Sequence, residues 1–178
     1  MSKRIIWLSG WASSGKDTAA EAIVALGGVR FAFADSLKDI VSEKYEFPRH
    51  WCDTVEGKAT VLAENSKSVR ELLIYESREA KKENINVFAR IVLEKIVVEL
   101  TRSKLVVISD WRFPHEYDFI TKNMVDTEHI TIRIVRNGLV PLADSSEHEL
   151  DTWISTYKVV NHGISDFQAE IQKIVMQK

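Results

Sequence analysis

A single cysteine, Cys52, stands in this chain of 178 residues, alongside three prolines and seven glycines. One thiol closes no internal disulfide and has no companions for a cysteine-rich metal site, so neither staple holds the fold. No apolar run approaches the roughly 20 residues that cross a bilayer, and no membrane partner is expected. The basic start Ser2-Lys3-Arg4 leads only into the short run Ile5 to Leu8, too brief for a signal peptide, so a cytoplasmic protein is expected. An excess of one charge is also missing, with 24 Lys and Arg against 26 Asp and Glu. The basic residues are scattered and no recognition-helix or zinc pattern appears, so no specific nucleic-acid partner is expected. His115, His148 and His162 lack ligand spacing, which argues against a catalytic zinc.

What the chain does have is 45% apolar residues, enough to close the core of one domain over 1–178. Ile5 to Leu8 reads as a buried central strand, and from Lys16 the period changes to helical, with Ala19, Ala20, Ile23 and Leu26 on one face and Gly27-Gly28 as the stop. Val29 to Ala34 reads as a second strand, with Asp35 capping a helix whose apolar positions are Leu37, Ile40, Val41 and Tyr45. Phe47 to Ser66 has little periodicity and reads as loop with short helical pieces. Ser68 and Glu71 form a capping-box pattern ahead of Val69, Leu72 and Leu73. A helix over Asn86 to Leu100 buries Phe88, Ile91, Val92, Ile96, Val97 and Leu100, with Lys95 snorkelling. Leu105 to Ser109, His129 to Val135 and Tyr157 to Val160 complete five strands. Pro114 starts one helix, and Ser165 with Gln168 caps the last. Alternating strand and helix predicts a three-layer α/β/α fold with a mainly parallel five-stranded sheet.

The chemistry concentrates in Gly10-Trp11-Ala12-Ser13-Ser14-Gly15-Lys16-Asp17-Thr18, between the first strand and the first helix. Glycines let backbone N–H groups turn around phosphate oxygens, and the emerging helix offers its positive end. Gly10, Ala12, Ser13, Ser14 and Gly15 are therefore the nucleotide cradle, and Lys16 the charge on the β- and γ-phosphates. The pattern usually closes on Ser or Thr. Here Asp17 occupies that place and Thr18 follows, so either serves Mg²⁺, or Asp17 is simply a favourable acid in the first helical turn. ATP and Mg²⁺ are the expected cofactors.

A second constellation, Asp110-Trp111-Arg112-Phe113-Pro114-His115-Glu116, begins where a strand ends, on the sheet edge that holds the phosphate loop. Asp110 is expected to fix Mg²⁺ or its waters, and Arg112 to grip phosphate; the alternative pairs the two as a structural ion pair. Glu116 is expected to be structural rather than a base. Of Arg133 and Arg136, Arg136 is preferred for the site because Asn137-Gly138 then turns the chain into a short lid over 136–148. Arg70 or Arg78 holds an acceptor phosphate from an insertion over 35–85, and Asp35 orients the acceptor or caps its helix. Phe33, Trp51, Tyr75 and Phe88 are either stacking surfaces for a base or core. Ser145 to His148 is either a substrate-sensing loop or a helix cap.

These motifs resemble the deoxynucleoside monophosphate kinases of tailed phages, within the P-loop nucleoside monophosphate kinase superfamily. The likeness rests on Leu8 to Gly10 through Gly15 to Thr18, Phe33-Ala34 with Leu37-Lys38, and Val107 to Asp110 with Arg112-Phe113-Pro114-x-Glu116. It continues through Ile134-Val135-Arg136-x-Gly138, Ser146-Glu147 and Asn161-x-Gly163. The resemblance implies phosphoryl transfer from ATP to a (deoxy)nucleoside monophosphate for viral DNA synthesis in a host cytoplasm. Carried over, Lys16 would hold ATP phosphates, Asp17 or Thr18 would serve the metal, Arg70 would approach the acceptor and Arg136 would belong to the lid. With the reading of the residues above, the expected catalytic set is Lys16, Arg136, Asp110 and Arg112, and the expected acceptor set is Phe33, Asp35, Lys38, Arg70, Arg78 and Arg112. The chain departs from the family in a short stretch from Tyr45 to Ser68 and in Glu76-Ser77, where Leu-Gly is usual. A lesser likeness to animal-type phosphomevalonate kinases keeps a non-nucleotide acceptor open, and a non-catalytic nucleotide-dependent module is the third reading. Assembly into a homodimer also stays open.

Overall fold

The structure, a computed structural model, describes residues 2–64, 66–141 and 144–177. Its strands are β1 (Arg4–Ser9), β2 (Val29–Phe31), β3 (Val61–Leu62), β4 (Lys67–Ser68), β5 (Leu105–Ile108), β6 (Glu128–Val135) and β7 (Tyr157–Val160). Its α-helices are α1 (Lys16–Val24), α2 (Phe33–Lys44), α3 (Val55–Ala59), α4 (Val69–Glu83), α5 (Val87–Glu99), α6 (Pro114–Asn123) and α7 (Ile164–Met176). Five strands pair in the order β2-β5-β1-β6-β7, every pair parallel, and β3 with β4 makes a separate antiparallel ribbon.

A parallel sheet needs cover on both faces, and alternation along β1 supplies two apolar sets. Ile6 and Leu8 join Ile23 of α1 and Phe167 and Ile171 of α7 in one core, while Ile5 and Trp7 meet Val92 and Ile96 of α5 and Ile120 of α6 in the other. A third, smaller core of Val41, Phe47, Cys52, Val69 and Leu72 lies under α2 and α4 in the expected insertion. Glu76 ties those two helices: its carboxylate accepts from Lys44 Nζ at 2.8 Å and Tyr45 Oη at 2.7 Å. No helix among the described residues is long and apolar enough to cross a membrane.

The expected elements are present, with corrections at their ends. The second strand stops at Phe31 and α2 starts at Phe33, two residues before Asp35, which therefore lies inside the first turn and is not the cap. The extended cap residue is Ala32, whose side chain accepts nothing. The last helix begins at Ile164 after Gly163, so Ser165 makes no cap either. Ile40 and Val97, assigned to buried faces by periodicity, are 44% and 48% exposed, because each helix packs through a narrower stripe than its apolar residues span. The Ser68–Glu71 capping box forms as expected. Asn65 of the expected loop and Leu142 and Ala143 of the expected lid lie outside the described residues.

Candidate active site

The phosphate loop leaves the buried end of β1 and enters α1 at Lys16. Ser13 takes φ +62° and Gly15 φ +111°, conformations that L side chains adopt with strain. Gly15 is required twice over, since a Cβ there would strike the amide of Asn161, whose Nδ2 donates to Ser14 O at 3.0 Å. The Asn-x-Gly segment after β7 thus closes one side of the loop. Lys16 Nζ donates to Gly10 O at 2.7 Å and Trp11 O at 2.8 Å. Burial holds its ammonium below the ordinary lysine pKa, and the Arg112 guanidinium lowers it further against the opposing pull of Glu147. Ser14 Oγ is buried with no hydrogen-bond partner among the described residues.

A cavity of about 650 Å³ opens beside this loop, lined by Ser13, Gly15, Lys16, Asp17, Thr18 and Arg136 with Asn161 to Ile164. Arg136 stands over it, Nη1 3.5 Å from Ser13 O, where the chain leaves β6 and turns at Gly138, φ +79°. Arg133 points elsewhere and pairs with Asp151 at 2.5 Å. Asp17 and Thr18 both line the cavity; the Asp17 side chain is 87% exposed and 3.9 Å from Arg30. Gly10 and Ala12 lie outside its lining.

A second cavity, of about 570 Å³, lies toward the insertion. Phe33, Phe88 and Phe113 form aromatic walls, Arg78, Lys81 and Arg112 bring positive charge, and Asp110, Glu116 and Asp144 bring acids. Lys81 Nζ sits 4.2 Å over the Phe113 ring. Of the expected acceptor residues, Phe33, Arg78 and Arg112 meet here. Arg70 is exposed and lines no described cavity. Asp35 and Lys38 are drawn into a surface ionic network instead: Lys38 Nζ reaches Asp53 at 2.9 Å and Asp35 at 3.4 Å, and Arg49 joins Asp35, Asp39 and Asp53.

Asp110 is engaged by backbone far away in the chain. Its Oδ1 and Oδ2 accept from the backbone N–H of Phe33 and Ala34, each at 2.8 Å, so it caps α2 from 76 residues away in place of Ala32. Burial raises its pKa, opposed by those two hydrogen bonds. Asp110 lines this second cavity and not the one beside Lys16, Asp17 and Thr18, and its expected metal role has to share oxygens already bonded to α2. Glu116 holds the turn before α6: Oε2 accepts from Arg112 N and Phe113 N at 3.2 Å each. Burial first, then the neighbouring Asp110 charge, push its carboxyl up to about 7.

Arg112 does not pair with Asp110. Its Nη1 lies 2.7 Å from Glu147 Oε1 and 3.0 Å from Ser146 Oγ. The other Glu147 oxygen accepts the Ala12 N–H at 2.6 Å, and Glu147 is 5% exposed. Glu147 is the site residue that sequence reasoning missed. The one signal was a Ser-Glu pair between β6 and β7, which carried two local readings and nothing pointing back to residue 12. Asp144 Oδ1 fixes that turn by accepting from Ser146 N at 2.9 Å.

The chain matches no protein-family model and no curated protein. It is similar to the crystal structure of TT1252 from Thermus thermophilus, with TM-score 0.56 and 18% identity over 99% of this chain and 97% of that one. It is also similar to a dephospho-CoA kinase from Campylobacter jejuni, with TM-score 0.51 and 14% identity over 97% and 96% of the two chains. At these identities the likeness is one of fold. The architecture is the three-layer α/β/α fold with a parallel five-stranded sheet expected from the strand and helix order, and it is shared with a chain named as a kinase.

Proposed function

We propose that this protein transfers the γ-phosphoryl group of ATP to a (deoxy)nucleoside monophosphate, giving ADP and a (deoxy)nucleoside diphosphate. One observation carries the reading: Glu147 bonds the Ala12 N–H of the loop at 2.6 Å and Arg112 of the second cavity at 2.7 Å, so the loop that carries Lys16 and the second cavity are joined. A phosphate on each side would face one shared cationic centre. The similar fold of a protein named as a dephospho-CoA kinase is compatible with this chemistry.

The loop fits a phosphorylated nucleotide. Lys16 is turned onto weak carbonyl partners that phosphate oxygens outcompete, and the buried Ser14 hydroxyl has no partner among the described residues. No cluster of three or more His, Cys, Asp or Glu forms a metal cage among the described residues, and magnesium at such sites takes most of its ligands from water and phosphate. Asp17 and Thr18, beside Lys16, are the residues to hold Mg²⁺ or its waters, and the ion would neutralise charge on the β- and γ-phosphates.

An oxygen of the acceptor's own phosphate attacks the γ-phosphorus as the bond to the ADP oxygen breaks. That oxygen is already ionised, so no general base is needed. Lys16 and Arg136 serve the donor, Arg112 stands between donor and acceptor, and Arg78 holds the acceptor phosphate. A phosphorylated acceptor without a base, such as phosphomevalonate, would use the same cations; the aromatic walls Phe33, Phe88 and Phe113 favour the nucleotide. The test is ADP formation from ATP and Mg²⁺ with each ribo- and deoxynucleoside monophosphate in turn. Stimulation by a subset of bases is expected. Hydrolysis indifferent to all of them would move the reading to another acceptor or to a nucleotide-dependent binding module.

A further inference from the structure

The Glu147 carboxylate makes two bonds that belong to different halves of the site. One oxygen holds the Ala12 N–H inside the phosphate loop at 2.6 Å, and the other holds Arg112 Nη1 at 2.7 Å. The Glu147 side chain is 1% exposed and that of Arg112 38%, so the acid is fixed and the guanidinium projects from it into the acceptor cavity. Ser146 Oγ adds a second contact to the same Nη1, and Asp144 braces the turn that presents both residues. A buried carboxylate with no partner would be costly, so the arrangement persists only because both donors are in place. Ala12 belongs to the loop that carries Lys16 and Arg112 lines the second cavity, so the bridge joins the two halves of the site.

We infer that Glu147 is a positioning residue that locks Arg112 to the phosphate loop, so that the group gripping the acceptor keeps one fixed relation to the phosphoryl donor. The inference rests on the kinase reading for its kinetic consequence, while the lock itself is independent of which acceptor is used. Glu147 acts through Arg112 and Ala12 and need touch neither substrate. Its loss leaves nucleotide binding largely intact and lets the guanidinium drift, and misplacement of about 1 Å in such a site costs on the order of 10²-fold in rate.

Two measurements on the full chain separate the lock from the reaction. Amide hydrogen exchange in R112Q should quicken at Ala12 about tenfold or more, because Glu147 is released from its far partner, while Ile6 in the central strand stays protected. Ile6 quickening together with Ala12 would mean general unfolding, in which case E147D, which shortens the reach and keeps the charge, takes its place with the same expectation. In steady-state ADP formation, E147Q should lower kcat about 10²-fold with ADP affinity by calorimetry changed less than threefold. The double variant E147Q/R112Q should be no worse than the poorer single one. Unchanged Ala12 exchange in R112Q, or fully additive losses in the double variant, would overturn the inference. If no monophosphate stimulates the parent chain but Ala12 still quickens in R112Q, the lock stands and the kinase reading is what fails.

Discussion

The two sides of the site are built by different means. The proposed donor side is a stretch of nine consecutive residues, Gly10 to Thr18, and its lysine, glycines and helix start are local. The proposed acceptor side is assembled from α2, α4, α5, the turn before α6 and the turn around Glu147, five segments brought together by the fold. A local motif is hard to lose by small shifts elsewhere. A composite cavity depends on every contact that aligns its parts, including caps and ion pairs that never meet a substrate.

Substitutions at the two sides should therefore fail differently. The largest effect is expected for Lys16→Ala, which should lower kcat/KM for ADP formation by about 10³-fold or more, with little change in melting temperature, since its bonds are to its own loop. Asp110→Ala should act through stability instead. Two N-terminal N–H groups of α2 lose their acceptor, and urea unfolding should show a loss of about 2 to 3 kcal/mol. If the loss were as small as that of a surface acid, the acceptor side would not depend on this cap.

Glu116 gives the comparison a pH axis. Its folded pKa of about 7 lies above the ordinary 4.5, so the folded chain binds the proton more tightly than the unfolded chain. Its contribution is fully present below pH about 4.5 and is lost as pH rises through about 7, by roughly 2 to 4 kcal/mol. Unfolding free energies measured from pH 4.5 to 8 should fall across that window in the parent and stay flatter in Glu116→Gln. Arg78→Ala should raise the acceptor KM about tenfold while leaving the ATP KM alone, whereas Arg70→Ala should change neither by more than about twofold. A small effect is also expected for Asp35→Ala, within about 1 kcal/mol by urea unfolding, because its ion pairs lie at the surface.

The parts legible in the sequence were those in which the residues concerned are neighbours. Strand and helix periods, the Ser68–Glu71 box, the phosphate loop and the turn after Arg136 each follow from a few adjacent side chains. The misreadings share one cause. Asp35 looked like a cap because it is a good capping type near a helix start, yet the helix had begun two residues earlier on a cap supplied by Asp110. Asp110 and Arg112, expected on metal and phosphate with a mutual ion pair as the alternative, each hold a partner distant in the chain, the start of α2 and Glu147. Arg70 and Arg78 sit on one helix, and only the way α4 packs decides that Arg78 faces the cavity.

By itself, then, the sequence determined a parallel sheet with helices on both faces and a phosphate loop at the carboxyl end of its first strand, because hydrophobic period and glycine placement act over a few residues. Only the tertiary structure decided which carboxylate caps α2, which arginine faces the second cavity and what Glu147 holds. Those contacts join segments tens of residues apart, and a charged group's partner is set by burial and distance after the layers have packed.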